Sequence, residues 1–121
     1  MISTRAHGTL DYVMGVVLIL APFLFGFATG GAEMWVPIIL GAAVILYSLI
    51  TAYERGVIPG ISMRTHLWLD GLGGLFLALS PWLLGFASIV FLPHLIVGLG
   101  ELIVVFTTEQ VPQERPRRAA V

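Results

Sequence analysis

Two histidine–aspartate pairs are the residues in this chain best suited to chemistry. His7 and Asp11 are four residues apart, and the same spacing recurs in His66 and Asp70. On a helix, side chains four residues apart lie on one face within contact distance. Because histidine titrates near neutral pH, each pair predicts a site that relays protons or senses pH. The alternative is a structural clasp, in which each aspartate hydrogen-bonds its neighbours and fixes the register of its helix.

Glu101 is a further acidic residue in an apolar context, within the segment VGLGE. A charged side chain at the centre of a membrane helix costs about 2.5–3.5 kcal/mol, and such residues usually face protein and have a partner. The residue therefore indicates either a functional proton site or a hydrogen bond between helices. The partners expected for such a bond are Tyr47, Ser48 and Ser80.

No set of residues, these pairs included, indicates a catalytic, cofactor or metal site. The chain has no cysteine, which excludes thiolate catalysis and cysteine metal ligands. The predicted membrane spans described below place His94 at the opposite interface from His7 and His66. The sequence therefore predicts no three-histidine zinc site. The segment GLGG at residues 71–74 lies inside an apolar run, without the strand–turn–helix setting of a phosphate loop. We therefore expect no enzyme and no cofactor.

The elements that carry these residues are strongly apolar. Of the 121 residues, 58% are hydrophobic and 11% are charged, against about 45–50% and about 25% in an ordinary globular domain. A helix that spans a bilayer needs roughly 20 mostly apolar residues. The sequence predicts four such spans, at about residues 10–28, 34–53, 66–87 and 89–107. The net charge of −1 gives no support to a nucleic-acid partner.

The chain is also an internal repeat. Seven residues recur at an offset of 59, in the pairs Arg5/Arg64, His7/His66, Leu10/Leu69, Asp11/Asp70, Gly15/Gly74, Pro22/Pro81 and Gly26/Gly85. A repeat predicts duplicated architecture. The predicted fold class is an all-α membrane protein with four transmembrane helices, arranged as two tandem parallel two-helix repeats. The predicted boundaries are residues 1–57 and 58–109 for the repeats and 110–121 for a disordered cytoplasmic tail. Close helix packing is expected at Gly15, Gly41, Gly74 and Gly98.

Arginine placement predicts the orientation of these spans. All six basic residues are arginines, and they fall before the first span, between the second and third, and after the fourth. With four spans these regions share one side, so the positive-inside rule places both termini in the cytoplasm. Two alternatives are a cleaved signal peptide in place of the first span and a soluble helical bundle. Asp11 and the repeat argue against the signal peptide, and the lack of a polar helix face argues against the soluble bundle.

One motif carries a family resemblance. Ser80, Pro81 and Trp82 stand near the end of the third predicted span, and the first repeat has Pro22 at the matching position, in Ala-Pro-Phe. The chain resembles the SPW repeat family of small bacterial and archaeal membrane proteins over roughly residues 5–108. The resemblance implies a pair of transmembrane helices per repeat and a membrane location. It implies no established activity.

These observations favour a non-enzymatic membrane scaffold or accessory subunit in the bacterial cytoplasmic (inner) membrane. The expected partners are the lipid bilayer and a further copy of the chain or another membrane protein. The alternative function is a proton- or ion-coupled carrier or channel, with a pathway through His7, Asp11, His66, Asp70 and Glu101.

Overall fold

The chain folds into four helices in a computed structural model that describes residues 1–112. Their bounds are Thr4–Leu24 (α1), Ala32–Leu49 (α2), Met63–Leu83 (α3) and Leu92–Thr107 (α4). Within residues 1–112 there is no strand, only two isolated β-bridges. The all-helical class and the number of helices are as predicted. Most of the predicted tail, from residue 113 onward, lies outside the described residues.

α1 and α3 begin earlier than predicted because each has a serine N-cap. The Ser3 side chain accepts a hydrogen bond from the backbone N–H of Ala6, and Ser62 accepts one from Thr65, both at 3.1 Å. Such a cap satisfies a backbone donor that the first helical turn leaves unpaired. The predicted starts at residues 10 and 66 followed apolar content and missed these polar first turns. His7 therefore lies in the first turn of α1.

α1 and α3 also end in the same way, shortly after an internal proline. Pro22 and Pro81 precede helix ends at Leu24 and Leu83. A proline inside a helix removes a backbone hydrogen bond and favours a kink or an early end. Gly26 and Gly85 follow with φ of 76° and 74°, a conformation that glycine adopts at little steric cost. The predicted third span to residue 87 was therefore too long. Residues 84–91 form the connection between α3 and α4, where the predicted spans left only residue 88.

Each repeat forms a tight helical hairpin, α1 with α2 and α3 with α4. A Cβ atom added to Gly41 would stand 2.5 Å from the carbonyl oxygen of Gly15, and one added to Gly98 would stand 2.5 Å from that of Gly74. Backbones approach this closely only where no side chain intervenes. The four glycines expected to pack helices therefore face each other inside the hairpins. α2 also contacts α3, which joins the hairpins.

Backbone bridges join the two repeats at the end where the chain enters and leaves them. The N–H of Ile2 donates to the carbonyl of Thr107 at 2.8 Å, and the N–H of Ala52 donates to that of Ile61 at 2.7 Å. The segment before each repeat thus pairs with the segment that follows the other repeat. This end of the molecule is therefore tied together by backbone hydrogen bonds.

The outer surface is apolar over much of its area. Large hydrophobic side chains are exposed on every helix, among them Phe23, Ile39, Leu46, Trp68, Trp82, Ile96 and Phe106. By length and composition, α1 and α2 are apolar enough to cross a membrane, and α4 is apolar but shorter, with 16 residues. The composition of these helices is compatible with a membrane location.

Candidate functional site

The candidate site is built on the N-terminal parts of α1 and α3. In α1 the Nε2 atom of His7 lies 3.1 Å from Asp11, and in α3 the Nε2 atom of His66 lies 3.0 Å from Asp70. The relative exposure of these four residues ranges from 0% to 4%. The four-residue spacing therefore places each histidine beside its own aspartate in the protein interior.

The two pairs meet in one cluster, which we call the His–Asp cluster (His7, Asp11, His66 and Asp70). His7 Nε2 lies 2.7 Å from Asp70 Oδ2, and His66 Nε2 lies 3.0 Å from Asp11 Oδ2. The two imidazole rings stand edge to face with centroids 5.5 Å apart. The expectation of two separate sites was wrong, because spacing within a helix does not determine how the starts of α1 and α3 approach each other.

Two threonines hold the far side of the imidazole rings. His7 Nδ1 lies 2.9 Å from the hydroxyl of Thr108, and His66 Nδ1 lies 2.7 Å from that of Thr51. Each hydroxyl is also within hydrogen-bond distance of a backbone carbonyl oxygen. The Thr108 hydroxyl lies 2.6 Å from that of Val104, and the Thr51 hydroxyl lies 2.7 Å from that of Tyr47. A hydroxyl has one hydrogen, and the carbonyl can only accept it. Both threonines therefore accept from the imidazoles, so each Nδ1 carries a proton.

Two tyrosines hold the aspartates. Tyr53 donates its hydroxyl to Asp11 Oδ2 at 2.7 Å, and Tyr47 donates its hydroxyl to Asp70 Oδ1. The sequence analysis did not identify Tyr53 or either threonine, and it expected Tyr47 to form a hydrogen bond with Glu101. A signal was present for the threonines, because Thr51 and Thr108 each follow the second helix of a repeat. The contacts of these residues span 15 to 101 positions of sequence, which no local pattern reveals.

Glu101 lies beside the His–Asp cluster but does not bond to it. Its Oε1 atom is buried and has no hydrogen-bond partner in the described part of the chain. The bonds expected to Tyr47 and Ser80 do not form, since Tyr47 donates to Asp70 and Ser80 donates to Leu77 O at 2.7 Å. Ser48, the remaining expected partner, also has an unpaired hydroxyl within residues 1–112. A cavity of about 70 Å³ has Glu101, Asp11, Asp70 and Tyr47 in its lining.

The Ser-Pro-Trp motif lies at the opposite end of α3 from the cluster. Ser80 and Pro81 are buried, whereas Trp82 is 53% exposed and packs on Phe91 with ring centroids 5.7 Å apart. Pro22 is buried at the matching position of α1. The peptide N–H of Phe86 donates to Pro81 O at 2.8 Å, and that of Phe27 donates to Pro22 O at 2.9 Å. The motif therefore shapes the ends of the two helices.

His94 lies at that same end and is 1% exposed. Its ring packs between those of Phe27 and Phe86, at centroid distances of 5.2 and 4.9 Å. Its Nε2 donates to the carbonyl oxygen of Glu33 at 2.9 Å. The structure thus buries a side chain expected at the interface and keeps it apart from the His–Asp cluster.

The His–Asp cluster is the feature with the greatest chemical capacity in residues 1–112. Each of its four residues offers one ligand atom, and the four atoms lie within 4.8 Å of one another. Two imidazoles and two carboxylates at this distance can share protons or coordinate a cation. The hydroxyls of Thr108 and Thr51 accept from Nδ1 and donate to backbone carbonyls. Neither imidazole is therefore placed to take the proton of its hydroxyl, as a nucleophile with an adjacent base requires.

Comparison with known families gives one result. A family model described as the SPW repeat domain matches residues 5–108 of the chain. The match includes both hairpins, the His–Asp cluster and the Ser-Pro-Trp motif. No curated protein and no solved structure shows a significant match.

Proposed function

The chain belongs to the SPW repeat domain family, and from this membership we propose that it is a small multi-pass membrane protein that acts as a non-enzymatic scaffold or accessory subunit. The observation that supports this role is the contrast between interior and surface. The histidines and aspartates of the cluster contact one another and neighbouring side chains in the interior, while the helices expose large apolar side chains. Such a surface is suited to lipid and to other membrane helices.

We propose that all four helices span the bilayer. α3 has 21 residues, about 31 Å at the rise of an α-helix, and its aspartate and histidine face the interior. α4 has 16 residues, about 24 Å. A short span is accommodated by local thinning of the bilayer or by the residues that flank it.

We propose that the chain resides in the bacterial cytoplasmic membrane with both termini in the cytoplasm. Arg5, Arg55 and Arg64 lie at the end of the molecule that holds the N-terminus and the connection between the hairpins. The remaining three arginines follow α4 in the sequence. Glu33 lies at the other end, at the start of α2. This asymmetry supports the orientation through the positive-inside rule.

Cysteine labelling tests this placement directly, because the chain has no native cysteine. Ala28→Cys and Ser88→Cys place an exposed thiol in each of the two hairpin turns, and Val57→Cys places one between the hairpins. We expect a membrane-impermeant maleimide to label Ala28→Cys and Ser88→Cys in intact spheroplasts. Val57→Cys should react only after permeabilisation.

Two results would contradict the proposal. Equal labelling of all three variants in intact spheroplasts would rule out the four-span topology, because the hairpin turns and the central connection would then share one side. Extraction of the wild-type chain by alkaline carbonate would rule out integral membrane insertion. Denatured protein labelled in detergent is the control for the reactivity of each thiol.

A second candidate function, a proton- or ion-coupled carrier or channel, is favoured by one observation. Glu101, whose buried Oε1 has no partner within residues 1–112, and both cluster aspartates line the same cavity of about 70 Å³. A water molecule needs roughly 10–15 Å³ of such space. The cavity thus has room for water between the carboxylates.

Proton flux into proteoliposomes that contain a pH dye separates the two functions. A scaffold gives the same flux as empty liposomes. Flux above that level, removed by Glu101→Gln and by the Asp11→Asn/Asp70→Asn double variant, would make the carrier the better account. Circular dichroism of each reconstituted variant serves as the folding control.

A further inference from the structure

The His–Asp cluster has more short contacts than its protons can satisfy. Four nitrogen–oxygen contacts of 2.7 to 3.1 Å join the two Nε2 atoms to the two aspartates. Each Nε2 carries at most one proton, so at most two aligned hydrogen bonds can serve four contacts. His66 Nε2 makes no aligned hydrogen bond with any described residue, although it is buried and has a carboxylate oxygen at 3.0 Å on two sides.

We propose that His7, Asp11, His66 and Asp70 bind one divalent transition-metal ion, zinc in the first instance, at the junction between the two hairpins. The ligand atoms are Nε2 of both histidines and one oxygen of each aspartate. A single ion among these atoms gives both Nε2 atoms and both carboxylates a common partner. The expectation of no metal site treated the two pairs as separate, and a lone pair offers too few ligands to hold an ion.

The imidazoles are prepared for this role by the threonines. Thr108 and Thr51 each accept a hydrogen bond from Nδ1, as their own bonds to backbone carbonyls require. A neutral imidazole with its proton on Nδ1 presents a lone pair on Nε2. Metal-ligating histidines almost always donate their other ring N–H to an oxygen in this way. Without a cation, a neutral ring would set this lone pair against the carboxylate oxygens.

Hydrogen bonds from two tyrosines orient the carboxylates. Tyr53 donates to Oδ2 of Asp11 and Tyr47 donates to Oδ1 of Asp70. The other oxygen of each aspartate, Oδ1 of Asp11 and Oδ2 of Asp70, faces an Nε2 atom at 3.1 and 2.7 Å. Each of the four ligands therefore has one atom held by a hydroxyl and one atom turned to the centre of the cluster. Oδ2 of Asp11 does both, since it also lies 3.0 Å from His66 Nε2.

Distance and charge both suit a tetrahedral zinc ion. Zinc bonds of about 2.0–2.1 Å to nitrogen and oxygen set ligand atoms about 3.3 Å apart. The nitrogen–oxygen contacts of 2.7 to 3.1 Å are slightly shorter than this, and all four ligand atoms lie within 4.8 Å of one another, so small side-chain shifts bring them to that spacing. Two neutral imidazoles and two carboxylates carry a charge of −2, which a divalent ion cancels. A neutral complex is the form that a buried site tolerates best.

The donor set favours a transition metal over calcium or magnesium, which prefer oxygen ligands. All four residues are at most 4% exposed, and four protein ligands complete a tetrahedral shell. Such closed sites are structural, whereas catalytic zinc keeps an open position. Because ligands come from α1 and α3, the ion would tie one repeat to the other.

Metal binding by the full chain in detergent tests the proposal. Protein stripped with a chelator is dialysed against Zn²⁺ and its metal content is measured, and Co²⁺ serves as a spectroscopic probe of tetrahedral coordination. We expect one ion per chain in the wild type and in His94→Gln, whose histidine lies outside the cluster. Asp70→Asn and His66→Gln should lower the affinity at least 100-fold. The ion should raise the Tm of the wild type but not that of these two variants.

Two outcomes would overturn the proposal, namely folded wild type that binds neither Zn²⁺ nor Co²⁺, and cluster variants that bind as tightly as the wild type. If the cluster variants fail to fold, Thr51→Val decides. It leaves all four ligands in place, and loss of a histidine's outer partner typically weakens metal affinity 10–100-fold. Unchanged affinity in Thr51→Val would then overturn the proposal. Topology labelling is a separate measurement, so failure of the metal site and failure of the membrane placement are distinguishable.

Discussion

At the residue scale, buried carboxylates in this protein have two different surroundings. Asp70 lies at 2.7 and 3.0 Å from two histidines and accepts a bond from Tyr47. Glu101 has a buried oxygen with no partner among the described residues. The sequence analysis singled out both residues by the same argument, that a carboxylate in an apolar helix is costly unless it has a partner. The structure shows such partners for Asp70, whereas Glu101 lines a cavity.

This contrast predicts that two isosteric substitutions change the free energy of unfolding by different amounts. Asp70→Asn removes one partner of a buried ionic network, a change that typically costs about 3–5 kcal/mol. Glu101→Gln changes a side chain whose buried Oε1 has no partner among the described residues, so we expect a free energy of unfolding within about 1 kcal/mol of wild type or above it. Unfolding in detergent measures both. A loss in Glu101→Gln as large as that in Asp70→Asn would contradict the assignment of Glu101.

At the scale of elements, the hairpins depend on glycine contacts within each repeat. A Cβ atom on Gly98 would meet backbone atoms of Gly74 and Ala78 at 2.5 Å, whereas one on Gly100 would meet nothing within 4 Å. Both glycines belong to α4. The pair therefore separates the packing role of a glycine from its helix propensity.

Alanine substitution at these two positions makes that separation measurable. Gly98→Ala must push α4 away from α3, and overpacking of this kind typically costs about 1–3 kcal/mol. Gly100→Ala has free space and should stabilise the helix by up to about 1 kcal/mol. Thermal unfolding in detergent should therefore lower the Tm of Gly98→Ala and not that of Gly100→Ala. If the two variants changed the Tm equally, α3 and α4 would have room for a methyl group at Gly98, which would contradict the close packing described here.

The sequence predicted these elements better than their ends. Apolar content and the repeat were sufficient for the four helices, because both are local properties. The ends shifted where a polar residue takes part in the helix, as with the caps at Ser3 and Ser62. They also shifted where a proline and a positive-φ glycine close the helix, as with Pro81 and Gly85. Hydropathy carries no information on either.

At the scale of the whole molecule, the two repeats are joined by reciprocal contacts. Thr108, after the second repeat, holds His7 of the first, and Thr51, after the first repeat, holds His66 of the second. The β-bridges connect the same ends of the chain. The repeat in the sequence predicted two equivalent His–Asp pairs, but not their union, because that depends on contacts between residues such as His7 and Asp70 that are 63 positions apart.

The union also breaks the symmetry of the repeat. Both tyrosines that bond to the aspartates, Tyr47 and Tyr53, come from the first repeat. Glu101, which lines the adjacent cavity, comes from the second. The duplicated halves therefore contribute different outer partners to one shared cluster, and a single repeat does not contain a complete set.

A double-mutant cycle between His7 and Asp70 tests most directly whether one cluster joins the repeats. His7→Gln, Asp70→Asn and their combination are compared with wild type by the free energy of unfolding in detergent, with His94→Gln/Asp70→Asn as the control cycle. Direct contact at 2.7 Å predicts a coupling energy of about 1–3 kcal/mol for His7 with Asp70, and additivity within about 0.5 kcal/mol for the control. Additive effects of His7→Gln and Asp70→Asn would contradict a shared cluster and leave two independent pairs.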